Sequence, residues 1–306
     1  MEVGGHVLVV MAAYSYYTTG LFCTRYQVYG IPVMKVQLLV QLLLIFVLHV
    51  RVITAQDALF PDAGLEAAVR AQVFAKRNNQ EPLTKEDVAK ISQVEAMGRK
   101  IGNLAGLEHC VAVQMLDLGN NEITDLAPLA GLKLLQSLTL KNNKIQSIEP
   151  LKDLERMQLL DLSDNQVKDL AALAKMTNLR TLYLSNNQIE QIGVLSQLPK
   201  IWSLYLNGNS VNDWTSIGEL KWLSSLNLAN CNLTDLSFLK PLKRLSMVIL
   251  TDNKIQDVNA LIEMSKTDES RQFAIFWKLY LRGNPVDPQS ESIAELKKLG
   301  ARISFE

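Results

Sequence analysis

The sequence predicts an α/β repeat solenoid: a right-handed coil with a parallel β-sheet along one face. Two observations carry that expectation. Asn121, Asn143, Asn165, Asn187, Asn209 and Asn253 recur with a 22-residue period or a multiple of it, and Cys231 fills the gap. Ahead of each stands a Leu-x-Leu pair, from Leu116/Leu118 through Leu138/Leu140, Leu160/Leu162, Leu182/Leu184, Leu204/Leu206 and Leu226/Leu228 to Val248/Leu250. A phase held over six consecutive intervals is internal repetition rather than a chance motif. Composition agrees. The chain has 306 residues, 48% of them hydrophobic, enough to bury a long core. Its 31 basic and 31 acidic side chains cancel, which excludes a surface built to neutralise phosphates and with it a nucleic-acid partner.

Residues 1–55 do not share the repeat. Met34 is followed by Lys35, an apolar run over 36–50, and small or polar residues around Ala55. That is the charge, hydrophobic stretch and small-residue exit of a secretory signal peptide, here over 34–55. On this reading Met34 is the start, residues 1–33 are a mis-called upstream extension, and the chain is secreted or placed in the periplasm or cell envelope. The rival keeps Met1 and makes 36–53 a membrane tether. At about 18 residues that stretch barely spans a bilayer, and Gln37, Gln41, His49 and Arg51 interrupt it.

Residues 56–93 read as a helical N-terminal cap. One helix-like stretch covers 62–77, with Leu65, Ala68, Val69 and Val73 on one side, and a second covers 84–91. Thr84 with Asp87 three residues on suits a helix start. The repeats then run over 94–286, about eight good units after a degenerate first one. The last good unit, with Leu279, Leu281, Asn284 and Val286, follows after 31 residues instead of 22. The nine extra residues, around 265–273, read as a surface loop. Residues 287–306 form the C-terminal cap: an amphipathic helix over 290–299, stopped by Gly300, and a closing strand over 301–305.

This is the leucine-rich repeat pattern L-x-x-L-x-L-x-x-N/C-x-L. In each strand the two leucines point inward and their neighbours outward, by the two-residue period of a strand. The ladder of Asn121, Asn143, Asn165, Asn187, Asn209, Cys231, Asn253 and Asn284 gives amide hydrogens to backbone carbonyls that would otherwise be buried unpaired, at about 1–3 kcal/mol each. Cys231 fills the same place with a thiol. Turns such as Asp125-Leu126-Ala127-Pro128-Leu129, together with the helical cap and Gly106-Leu107-Glu108, resemble those of internalin-like bacterial leucine-rich repeat proteins. The resemblance spans about Leu59 to Glu306. It implies a curved solenoid with its strands on the concave face, and binding by that face. The sequence shows neither the immunoglobulin-like extension nor the sorting tail of the surface-anchored internalins, so host adhesion does not carry over.

Chemistry is sparse. The histidines are His6, His49 and His109, and the first two fall before residue 56. His109 beside Cys110 lacks a third group to orient a base, so the pair reads as structural. No HExxH, GxSxG or phosphate-binding loop is present, and the aspartates near the turns (Asp161, Asp164, Asp252) form no calcium loop. Three scattered cysteines make neither a disulfide framework nor a zinc site. No catalytic residue, metal or cofactor is expected. Asn232 opens an Asn-Leu-Thr sequon, of consequence only in a glycosylating host.

Function is sought on the outward strand positions. The middle residue of successive Leu-x-Leu units reads Asp117, Thr139, Asp161, Tyr183, Tyr205, Asn227, Ile249 and Tyr280. Five of the eight tyrosines lie before residue 34; the other three all take this one position. Tyrosine suits a half-exposed strand, and it is also a leading interface anchor. The expected partner-binding face is Asp161, Tyr183, Tyr205, Asn227, Ile249, Tyr280 and Arg282. Trp214 falls at a core position equivalent to Ile192, Trp202 and Trp277 share a phase ahead of their strands, and Trp222 fits no named position. The expected function is a non-catalytic, exported, monomeric scaffold for a protein or peptide ligand. The alternative is an intracellular regulatory subunit of an enzyme such as a protein phosphatase.

Overall fold

A computed structural model describes residues 58–267 and 277–306. The targeting segment expected over 34–55, the extension before it and residues 268–273 of the expected loop lie outside them. The repeats with their caps form one compact unit, Leu59–Glu306. Among the described residues, no helix is long and apolar enough to cross a membrane.

The 22-residue phase becomes a stack of turns. Ten three-residue strands form one parallel sheet in chain order: β1 (Gln93–Glu95), β2 (Met115–Asp117), β3 (Ser137–Thr139), β4 (Leu159–Asp161), β5 (Thr181–Tyr183), β6 (Ser203–Tyr205), β7 (Ser225–Asn227), β8 (Met247–Ile249), β9 (Lys278–Tyr280) and β10 (Arg302–Ser304). Residues one period apart are direct neighbours, as Leu182 is to both Leu160 and Leu204. Across the stack from strands β1 to β7 the chain makes a short 3₁₀ turn, such as Ala127–Leu129 or Glu149–Leu151. Strands sit closer together than helical turns can, so the sheet takes the concave side of the curve. The leucines of every turn fill the interior between them. Leu160, Leu162, Leu182, Leu184, Leu204 and Leu206 are all buried, each worth about 1.5–3 kcal/mol of removed apolar surface.

The Asp-Leu-x-Pro-Leu turns have a local cause. Asp125 accepts from the N–H of Ala127 at 2.8 Å, and Asp169, Asp213, Asp235 and Asp257 repeat that bond two residues on. Pro128 and Pro150 stand at the start of their 3₁₀ turns, where no N–H is needed. A second recurring device is backbone shape. The residue before the ladder position takes a left-handed φ in turn after turn: Asn120, Asn142, Asp164, Asn186, Asn230 and Asp252 lie between 53° and 58°. Asn and Asp tolerate that region better than other side chains. Gly208 takes over in one turn because a Cβ there would meet Asn186 Oδ1 at 2.3 Å.

Both ends are covered. At the N-terminus α1 (Ala63–Gln72) is capped by Asp62, which accepts from Gly64 and Leu65 and, with its other oxygen, from Gly102 and Asn103 of the first turn. The helix ends five residues short of the sequence expectation. Val73 is extended, and the Arg70 guanidinium donates to the carbonyls of Lys76 and Asn79, closing a loop instead. The second helix, α2 (Lys85–Val88), is likewise shorter than expected and starts with the Thr84–Asp87 capping box. Near the other end α3 (Asn259–Lys266) takes the place of a 3₁₀ turn, so the nine-residue insertion begins as helix: Ser265 and Lys266 belong to α3, not to a loop. The helix α4 (Glu291–Lys298), capped by Ser290, and strand β10 close the stack.

Candidate functional site

Each ladder asparagine uses both ends of its amide. Asn165 donates to the carbonyls of Leu140, Leu162 and Ser163 at 2.9–3.1 Å and accepts from the Ile145 N–H at 3.0 Å. Asn121, Asn143, Asn187, Asn209, Asn253 and Asn284 hold the same kind of bond, each accepting from an N–H of the turn before. The repeat pattern alone does not reveal this accepting half. It matters at Cys231, whose thiol donates weakly to Leu206 and Ala229 but offers no amide oxygen. The Val211 N–H, equivalent to those of Ile145 and Ile189, makes no ladder bond, and Asn232 joins Asn230 in a left-handed φ, at 57°. An open cleft of about 720 Å³ lies at this seam, lined by Trp214, Phe238, Asp213, Asp235 and neighbouring turn residues. Trp214 is only partly buried, against the core assignment of the sequence. The site is filled elsewhere by Leu, Ile or Val, and the larger indole stays at the rim, stacked on Phe238 with ring centres 6.0 Å apart.

The outward strand residues form one file: Asp117, Thr139, Asp161, Tyr183, Tyr205, Asn227, Ile249 and Tyr280 are successive register partners. All are half-buried. Tyr183 and Tyr205 stack with centroids 4.6 Å apart and planes inclined by 23°. Burial, then Tyr205 and Asp161, push the Tyr183 hydroxyl above the ordinary tyrosine range, so it stays a neutral donor. The rest of the expected face is less free. Asp161 and Asn227 each turn an oxygen back to the N–H two residues on, at 2.9 and 3.0 Å. Tyr280 lies three strands beyond Tyr205, about 14 Å away, outside the stacked pair. Arg282, past the end of β9, faces Asp252 at 3.6 Å.

The cysteines belong to the interior. Burial and the Glu108 carboxylate push the Cys110 thiol up to about 12, and burial raises that of Cys231. Neither is a thiolate near neutral pH. Both are free. Trp202 and Trp277 occupy the same phase but differ in setting: Trp277 is 2% exposed, Trp202 50%. The bare spacing does not show that difference. The sequence pattern also leaves Trp202 and Trp222 unassigned as surface residues; the signal available is that Gln158 and Arg180 hold the same column as Trp202.

The family model for leucine-rich repeats in two copies matches the chain over residues 111–153, 133–175, 155–200 and 177–222. No curated relative matches by sequence. Among solved structures, internalin C2 of Listeria monocytogenes is similar at 30% identity, with 74% of this chain and 96% of that one covered and a TM-score of 0.66. A second internalin of the same organism matches at 24% identity over 80% of this chain and 76% of its own, with a TM-score of 0.64, which speaks for the fold.

Proposed function

The chain is an internalin-like bacterial leucine-rich repeat protein, and from that premise we propose that it is a non-catalytic, exported scaffold that holds a protein or peptide against its concave sheet. The observation that carries the reading is the stacked pair Tyr183–Tyr205 at the centre of the strand file. Two aromatic rings fixed against each other lose little freedom on binding, and they present apolar area together with hydroxyl donors. Thr181, Ser203, Ser225, Ser185 and Asn207 surround them with small polar groups, which suits a ligand backbone that needs hydrogen bonds. The contact extends toward Asp161 on one side and toward Asn227, Ile249, Tyr280 and Arg282 on the other. Export rests on the 34–55 segment, and no observation favours the intracellular alternative.

The test is the double substitution Tyr183→Ala with Tyr205→Ala, assayed by capture of partners from the native envelope fraction and by thermal melting. Anchors of this type are worth about 2 kcal/mol or more, roughly thirtyfold in affinity. Lost capture with an unchanged melt is the expected result. Unchanged capture moves the site off this face, and a collapsed melt shows the tyrosines to be core.

A further inference from the structure

The edge of the solenoid where each strand begins changes character in its middle. Over residues 177–181, 199–203, 221–225 and 243–247 the chain carries Arg180, Lys200, Lys221, Lys243 and Arg244 and not one carboxylate, although Glu219, just ahead of this edge, reaches Lys221 at 3.8 Å. Trp202 and Trp222 stand on this edge with half of their surface in solvent, at 50% and 49%. Adjacent turns are tied there through backbone: the N–H groups of Ser224 and Ser225 both donate to the Trp202 carbonyl, at 2.9 and 3.1 Å. Arg244, one period after Trp222, lays its guanidinium over that indole at 4.2 Å. Among the described residues, neither Arg180 nor Arg244 has a carboxylate partner, although other surface cations of the repeats do, as Lys144 with Glu122 and Lys175 with Asp153.

From this we infer that the Trp202–Trp222–Arg244 edge is a second docking surface, distinct from the tyrosine file, for an extended acidic segment of a protein partner that also carries apolar side chains. Charge complementarity selects the occupant. A guanidinium over an indole face, with no carboxylate of its own, still has N–H groups to offer in the fork that matches a carboxylate. The exposed indoles supply apolar contact area beside it, and Trp and Arg are the residues most enriched among interface anchors. From the turn of Arg180 to that of Arg244 is three strand spacings, about 14 Å, the reach of about four extended residues. A short acidic-apolar strand covers the edge.

The probe is a fluorescein-labelled peptide of glutamate, leucine and phenylalanine, titrated into the full-length protein at low salt and followed by anisotropy. Its lysine-for-glutamate counterpart and phosphatidylglycerol vesicles are the controls. The acidic peptide should bind, weaken about tenfold when salt screens the pair, and weaken about thirtyfold in Trp222→Ala. Arg180→Gln with Arg244→Gln, which removes charge without removing apolar area, should weaken it comparably; this variant decides the matter if Trp222→Ala melts early. The Tyr183→Ala/Tyr205→Ala protein should bind the acidic peptide as before. Equal binding of the lysine peptide overturns the inference. So does tryptophan-dependent binding to the vesicles without peptide binding, or loss of peptide binding in the tyrosine variant alone, which would place the peptide on the concave face.

Discussion

Replacing Asn165 by alanine tests the ladder where its wiring is complete on both sides. The substitution removes three donated bonds and one accepted bond. The leucine carbonyls are not orphaned by it. Leu140 O still receives Asn143 at 2.9 Å, and Leu162 O still receives Asn187 at 2.9 Å. The Ile145 N–H is the group left without its ladder acceptor, at roughly 1–3 kcal/mol for a buried donor, while each doubled carbonyl loses about 0.5–1.5 kcal/mol. Partial relaxation of the turn offsets some of that, so the expected loss is about 2–4 kcal/mol. Asn178→Ala is the control. Asn178 donates to Glu155 O at 3.0 Å and accepts from Lys200 at 2.6 Å, but its side chain is half-exposed and water replaces both partners. Its loss should stay below about 1 kcal/mol. Urea unfolding followed by circular dichroism reads both. With a slope of about 3 kcal/mol per molar, Asn165→Ala should lower the midpoint by roughly 1 M. Equal shifts for the two variants, or an Asn165 shift within the Asn178 range, would refute the ladder energetics.

Cys231→Asn should act in the opposite direction, stabilising by about 1 kcal/mol in the same urea assay. It returns an acceptor to the Val211 N–H and a second donor to Leu228 O, which now receives only Asn253 among the ladder residues. Hydrogen exchange at Val211, expected to be faster than at Ile145 in the native protein, should slow in that variant; a destabilised protein with unchanged exchange would show that the seam has another cause. Acid should loosen the N-terminal cap through Asp87. Lys76 first, then Thr84, lower its carboxyl from the ordinary 3.8 to about 2. A depressed carboxylate stabilises the fold above its unfolded value, so the contribution is complete above pH 3.8 and is lost as pH falls through about 2. An NMR titration of the Asp87 carboxyl with a midpoint near that of a free aspartate would contradict the geometry.

The repeat is legible in the sequence because period, strand and ladder are coupled by one geometry. Asn143 follows Asn121 by one full coil of the solenoid, and any slip in that step would move Leu138 and Leu140 out of the core. What the period cannot report is what differs between turns. Trp202 and Trp277 are identical in phase and opposite in exposure; beside Trp277 the closing strand β10 pairs with β9, and the Trp277 carbonyl accepts from the Arg302 N–H. Trp214 reads as core by position; it packs against the core but stays partly exposed, stacked on Phe238. Helix ends read too long from sequence where side chains such as Arg70 redirect the backbone, a contact between residues whose meeting no local propensity encodes. Within the candidate face, the phase identifies the file of outward residues. The stacking of Tyr183 on Tyr205, and the turning back of Asp161 and Asn227 onto their own backbone, are properties of side-chain geometry.

The residue exchanges that break the pattern within 22-residue turns are not spread evenly. Trp202, Trp214, Trp222, Cys231 and Phe238 all fall between positions 202 and 238. The left-handed Asn232, the Val211 N–H without a ladder bond and the 720 Å³ cleft lie at the same seam. Stacking alone cannot account for this. A turn that obeys the pattern hands each neighbour an identical surface, so the ladder would be strongest with asparagine at 231 and the core best filled with an aliphatic residue at 214. Residues that weaken a repeat without helping the stack concentrate where something other than stacking constrains the sequence. Here they border Tyr205 on the strand face and Arg244 on the edge. The nine-residue insertion that begins in α3 is a separate departure, one of length. The residue exchanges at 214 and 231 therefore fall in the turns that carry the aromatic surface, and both proposed contacts draw on this part of the stack.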